Sequence, residues 1–132
     1  MSGLNATTNV VNVAGATATA AGQIIGPWAT VGLNNSDLRD YAAYDASGNV
    51  VSSNISSSAE TTWTNPANAY SSGTGYGTTT NTTLTGNRTV AALRDMGTNN
   101  TFALAGYNLE TGGFLSFANG NNYINSSGGV LR

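Results

Sequence analysis

The chain of 132 residues contains no cysteine, no histidine and no lysine. Without cysteine there are no disulfides, no thiolate nucleophile and no zinc–thiolate site. Without histidine the commonest general base and the commonest metal ligand are both missing. Without lysine there is no Schiff-base chemistry, no intact phosphate-binding loop and no polybasic patch. Charged residues make up 8% of the chain, against about 25% in an ordinary soluble domain. Four arginines stand against six acids, for a net charge of −2. A nucleic-acid partner needs a basic stripe to neutralise phosphates, so none is expected. Proline occurs twice, too rarely for a polyproline linker. The longest apolar runs are four or five residues, too short to span or insert into a membrane as a helix. Residues 1–30 show neither a basic n-region nor an apolar h-region.

What is present is narrow in kind. Nineteen Thr, 18 Asn, 17 Gly and 13 Ser make up about half of the chain, yet 39% of it is apolar. That apolar share is too high for a disordered chain. Threonine and valine suit a pleated, half-buried surface. Asparagine and glycine supply the left-handed positions of tight turns. Strong helix formers are nearly absent. The composition therefore predicts many short strands joined by tight turns. Leu38–Tyr44 has enough helix-compatible residues for two turns, with Asn35, Ser36 or Asp37 as a cap, but the strand reading is preferred there.

The length predicts one domain over 1–132. Strand-like groups run from Val10-Val11 to Val50-Val51, with Gly26-Pro27 breaking one of them and Asp45-Ala46-Ser47-Gly48-Asn49 forming a turn. Residues 52–80 read as an irregular excursion, rich in Ser, Thr, Asn and Gly. From residue 81 short apolar groups recur with Asn or Gly between them. One constant shift aligns Ala92 with Phe114, Leu93 with Leu115, Phe102 with Ile124 and Leu109 with Leu131. A period of about 20–30 residues is the mark of a solenoid, in which equivalent positions stack about 4.8 Å apart. Leu93, Phe102, Leu109, Leu115, Ile124 and Leu131 are therefore expected to point inward from parallel strands. The ends, at Met1-Ser2-Gly3 and Val130-Leu131-Arg132, read as those of a piece of a longer protein.

Three stretches carry a family likeness. They are Asn81-Thr-Thr-Leu-Thr-Gly-Asn-Arg-Thr-Val-Ala-Ala-Leu-Arg94, Phe102-Ala-Leu-Ala-Gly-Tyr-Asn-Leu109 and Ser126-Ser-Gly-Gly-Val-Leu131. They resemble the autotransporter-associated β-strand repeat of bacterial surface proteins, also called the passenger-associated transport repeat. Ile24–Val31 followed by Asp40–Asp45 is similar to a segment common between such repeats. The resemblance implies an all-β fold, a right-handed parallel β-helix (β-solenoid), in a structural or adhesive passenger at the bacterial surface or outside the cell. It brings no catalytic residue, and no cofactor is expected; without His and Cys, and with the calcium pattern broken at Val50 and Ser56, no metal is expected either. The absence of an export barrel and a signal is a departure from that family's whole proteins. Low charge with abundant Asn and Thr agrees, since polar side chains stack into ladders along such a fold.

Other constellations weigh less. Asp45-x-Ser47-x-Asn49 begins like a calcium loop, but Val50 and Ser56 stand where that loop needs Gly and Glu; a turn with Gly48 left-handed explains it better. Gly112-Gly113 and Gly128-Gly129 lack the Asp of calcium-binding β-rolls. Asp37, Asp40 and Asp45 cluster in sequence, and Arg94 adjoins Asp95, which raises a glycosidase pair; solvated turns and a weak surface ion pair explain these residues more simply. Trp28, Trp63, Tyr70 and Tyr76 are candidate sugar-stacking platforms. Trp28 is expected to pack, and Trp63 and the two tyrosines to face solvent. Sequons at Asn5, Asn54, Asn81, Asn87 and Asn125 arise by chance in so Asn- and Thr-rich a chain, and one Thr17-x-Thr19 pair is not an ice-binding array. The sequence thus leads to a non-enzymatic scaffold or stalk with contacts to a surface glycan or matrix. The alternatives are a carbohydrate-binding or carbohydrate-cleaving β-helix and a self-assembling extracellular filament subunit. Open strand edges at both ends would let copies associate end to end unless the 1–80 region folds back as a cap.

Overall fold

The computed structural model describes residues 10–32, 39–73, 79, 81–116 and 121–132. Among these the protein is all-β, with short strands, one turn of 3-10 helix and no α-helix. The chain divides into two compact units, Met1–Asn54 and Ile55–Arg132.

The first unit is antiparallel. Strand β1 (Thr30–Gly32) pairs with β2 (Arg39–Tyr44), and β2 pairs with β3 (Val50–Ser52). The strand reading of Leu38–Tyr44 thus holds over Arg39–Tyr44. Tyr41, Ala42 and Ala43 are buried, which gives this central strand an apolar middle. The turn from β2 to β3 has Gly48 at φ +76°, a conformation that any residue with a Cβ enters at a cost. Residues 10–25 run alongside: Val50 N–H donates to Val11 C=O at 2.8 Å, Val13 N–H to Gly48 C=O at 3.0 Å and Ile25 N–H to Ala42 C=O at 2.8 Å.

The second unit is parallel. It begins with the 3-10 turn Glu60–Thr62, then β4 (Ala69–Ser72), β5 (Thr82–Thr83), β6 (Arg88–Val90), β7 (Ala92–Asp95), β8 (Thr101–Ala103), β9 (Asn108–Thr111), β10 (Phe114–Ser116), β11 (Tyr123–Asn125) and β12 (Val130–Leu131). These make three parallel sheets, ordered β4-β7-β10, β5-β8-β11 and β6-β9-β12. The chain visits the three sheets in turn, three times over. The length of a passage is nearly constant: the separation of paired positions is smallest between β5 and β8, as for Thr82 with Phe102, and largest between β4 and β7, as for Tyr70 with Leu93. Part of the expected excursion at 52–80 is therefore a strand, since β4 is in register with β7. Trp63, Leu84, Val90, Leu93, Phe102, Leu104 and Leu109 form the core, with Tyr70 and Phe114 against it.

The constant shift expected from the sequence holds for Phe102 with Ile124 and Leu109 with Leu131. It fails for the other two pairs. Phe114 stands beside Leu93, and Leu115 beside Arg94, so the shift there is shorter by one. Successive strand residues face opposite ways; Phe114 therefore takes the core position expected of Leu115. Because 114 and 115 are both apolar, the pattern cannot reveal a slip of one. Ile124 and Leu131 share the register of buried Phe102 and Leu109, yet are 45% and 39% exposed. They belong to the last strand of each sheet, beyond which no described strand lies. Equivalent turns repeat as well. Ala105-Gly106 and Ser127-Gly128 are left-handed at both residues. A Cβ on Gly129 would come within 2.2 Å of Tyr107 C=O, so the third passage stacks too closely there for any other residue.

Candidate functional site

The six acids are the only general acids or bases of ordinary strength in the chain, so their surroundings decide what chemistry is within reach. Asp40 is fully buried in β2. One carboxylate oxygen accepts from Tyr41 N–H at 2.8 Å and Ser53 Oγ at 3.0 Å; the other accepts from Ser52 Oγ at 2.6 Å and Asn54 N–H at 2.8 Å. A carboxylate so supplied with donors ties β2 to the end of β3. Asp37, its expected neighbour, lies outside the described residues.

Asp45 shapes its own turn. Its Oδ1 accepts from Ser47 N–H at 2.8 Å and Asn49 N–H at 2.9 Å, and its Oδ2 from Asn49 Nδ2 at 2.9 Å. Donation from the Asn49 backbone and side chain, and from Ser47, holds its carboxyl below the ordinary aspartate range. The oxygen spacing that resembles a calcium loop is thus that of an Asx turn.

Two acids of the second unit sit in places that the sequence reading did not foresee. Glu60, in the 3-10 turn, is buried and paired with Arg88 of β6, with Oε2 2.8 Å from both Nε and Nη2. Arg88 Nε also donates to Glu60 C=O at 3.0 Å, and Thr85 donates to Glu60 Oε1 from its N–H at 3.1 Å and from its hydroxyl. Arg94 and Asp95, expected in solvated turns, are buried within β7. They do face opposite ways, as neighbours on a strand should. Arg94 donates to Ser71 Oγ at 3.3 Å and to Ile55 C=O. Asp95 accepts from Asn100 Nδ2 at 2.8 Å, Asn122 Nδ2 at 3.0 Å and Ser72 Oγ at 3.3 Å. Most of those partners come from other passages of the chain, which is why no local pattern shows them. Glu110 is the exposed acid of this unit, 3.4 Å from Thr89 Oγ1. It borders an open depression of about 250 Å³ with Asn87, Arg88, Asn108 and Arg132.

Asparagines link successive passages. Asn100 N–H donates to Asn122 Oδ1 at 2.9 Å, Asn121 N–H to Asn99 Oδ1 at 3.0 Å, Thr101 N–H to Asn81 Oδ1 at 2.8 Å and Asn108 N–H to Asn87 Oδ1 at 2.8 Å. Asn81 and Asn87, noted as sequons, are used in this way.

The two tryptophans are placed opposite to expectation. Trp63 is 2% exposed. Its ring stacks on Tyr70 at 6.0 Å and Phe102 at 6.1 Å, and its Nε1 donates to Ser58 Oγ at 3.0 Å. Its polar surroundings in sequence conceal a core residue, because its apolar neighbours come from β4 and β8. Trp28 is 79% exposed, its indole folded over Gly26, where a Cβ would come within 2.6 Å of Nε1. Tyr70 is half-buried, its hydroxyl accepting from Asn65 N–H at 3.0 Å. Tyr76 lies outside the described residues.

Each buried carboxylate thus has donors fixed around it and holds a turn, a hairpin or a corner. Among the described residues no three acids gather as a metal site, and no helix is long and apolar enough to cross a membrane. No known family model, curated protein or solved structure matches the chain.

Proposed function

We propose that residues 55–132 form successive turns of a right-handed parallel β-helix, serving as a non-enzymatic structural and adhesive segment of a bacterial protein secreted from the cell or displayed on its surface. The observation that carries this reading is the threefold return to three parallel sheets at nearly constant intervals along the chain. Parallel connections are right-handed in about 98% of cases, which favours that hand. Stacked turns suit a spacer, because each touches only its neighbours and length grows by repetition. The asparagine bonds between passages supply polar side chains that suit a wet, low-charge surface. The buried acids support a structural role, since donors already occupy their carboxylates. The likeness to the passenger-associated repeat adds the surface setting.

Carbohydrate binding is the second reading, favoured by the exposed indole of Trp28 and the open depression beside Glu110. A glycan array with a reducing-sugar assay separates the readings. The scaffold predicts no release of reducing ends and at most weak, broad glycan retention. Tight retention of one glycan class that Trp28→Ala abolishes would replace it with a lectin, and turnover would replace it with a glycosidase.

A further inference from the structure

The outward face of the sheet β6-β9-β12 gathers polar side chains around one depression. Leu109 is buried, so Asn108 and Glu110 on either side of it turn outward, and both are exposed. Thr89 stands beside Glu110 in register. Asn87 stands one alternate place back, beside Asn108, and its Oδ1 accepts from Asn108 N–H at 2.8 Å. Arg132, directly after β12, brackets Glu110 from the third strand: its N–H donates to Leu109 C=O at 2.9 Å, and its C=O accepts from Thr111 N–H at 2.8 Å. These residues line an open depression of about 250 Å³. The face runs alongside the stack, so turns added at either end would lengthen it without covering it.

We propose that this depression binds a neutral saccharide, one pyranose ring at a time, and is the adhesive contact of the unit. The proposal deepens the adhesive reading above and rests on it. Neighbouring strands lie about 4.8 Å apart and alternate residues about 6.6 Å apart. The outward side chains of Asn87, Thr89, Asn108 and Glu110 therefore mark out a cell the size of one sugar ring. Amide, carboxylate and guanidinium groups are planar and offer paired donors or acceptors, which match adjacent hydroxyls. Among the described residues nothing uses Asn87 Nδ2, the Asn108 side-chain amide, Glu110 Oε1 or the Arg132 guanidinium. The Asn87 amide is oriented in advance by its bond to Asn108 N–H, which lowers the cost of binding. Charge selects against other ligands. Arg88 is already neutralised by Glu60, and the Glu110 and Arg132 side chains carry one charge of each sign, so an anion or a cation gains from one what it loses to the other. Among the described residues no aromatic ring lines the depression, so binding of about millimolar strength is expected. A weak site suits adhesion, where many copies on a surface bind together.

The test is nuclear magnetic resonance of the isotope-labelled full chain, titrated with the methyl glycosides of glucose, galactose and mannose and, as an anionic control, of glucuronic acid. The expected result is saturable movement of the Thr89, Asn108 and Glu110 backbone signals and of the Asn87 and Asn108 side-chain amides with at least one neutral glycoside. The glucuronide should bind more weakly. Asn108→Ala and Glu110→Gln should each weaken binding at least about threefold, since each removes a hydrogen-bonding partner, while unmoved Leu84 and Leu104 amides report an intact core. Val51→Lys, in the first unit, should leave binding unchanged. No saturable movement with any neutral glycoside overturns the proposal and leaves a scaffold without this contact. Movement confined to the Trp28 indole overturns it by placing the sugar on the first unit, and a preference for the glucuronide overturns the neutral class. Binding indifferent to both variants overturns it as well. Release of methanol while the same signals move would keep the site and overturn instead the non-enzymatic reading.

Discussion

The two units solve the problem of burying little apolar surface in opposite ways. The first uses antiparallel neighbours close in sequence: β2 and β3 are joined by one short turn, and Asp40 accepts from the nearby Tyr41, Ser52, Ser53 and Asn54. The second uses parallel neighbours, such as Thr82 with Phe102 and Tyr70 with Leu93, so every pairing must bridge a whole passage of chain. Burial follows. The first unit buries Tyr41, Ala42 and Ala43 around one strand, whereas the second stacks Trp63, Phe102 and Phe114 with Leu84, Leu93 and Leu109 through its interior. A hairpin unit therefore depends on turn chemistry, and a stacked unit on unbroken apolar positions. The two tryptophans report on the units separately, Trp28 on the first and Trp63 on the second.

The largest expected effect is in the stacked unit. Leu109 is buried in the middle passage, between Arg88 and Leu131 in register. Leu109→Ala should cost about 2–5 kcal/mol, and Leu109→Asp more, because the new carboxylate has no partner. In a Trp28→Phe background, Trp63 emission should shift to the red at lower denaturant, while the β2–β3 amides keep their exchange protection. Loss of protection in both units together would erase the distinction between them.

Next in size is Asp40→Ala. It removes the acceptor of two hydroxyls and two backbone N–H groups and should cost about 2–3 kcal/mol. The loss should appear in amide exchange at Tyr41 and Asn54 and spare Leu84 and Leu104.

The smallest effect is that of acid on the Asp45 turn. The folded carboxyl titrates below its unfolded value, about 3.9. Its contribution is therefore complete above that value and is lost as pH falls below it, through the lower folded value. The Ser47 and Asn49 amide resonances should move over that acid range, and Asp45→Asn should abolish the movement. A transition at or above the unfolded value would remove the stabilised turn.

The same contrast governs what the sequence shows in advance. The Asp45–Asn49 turn and the β2 strand are legible because their determinants are adjacent. The period is legible in Phe102 with Ile124 and Leu109 with Leu131, where the shift between the apolar groups equals the shift between the paired strands. At Phe114-Leu115 two apolar residues adjoin, so the register can slip by one unseen. Trp63 and Arg94 are misleading in sequence because their partners, Phe102 for one and Ile55 and Ser71 for the other, come from distant passages. The exposure of Ile124 and Leu131 depends on being last in the stack, a fact about neighbours that no local pattern contains.

The central claim is the parallel stacking of residues 81–132, and scalar couplings across hydrogen bonds test it most directly. In an isotope-labelled chain, Leu84 N–H should couple to Ala103 C=O, Leu104 N–H to Asn125 C=O and Arg132 N–H to Leu109 C=O, as their separations of 2.8–2.9 Å require. The first two place the same bond on successive passages. Couplings that join β8 or β9 to their neighbours in descending register, as in antiparallel hairpins, would contradict the account.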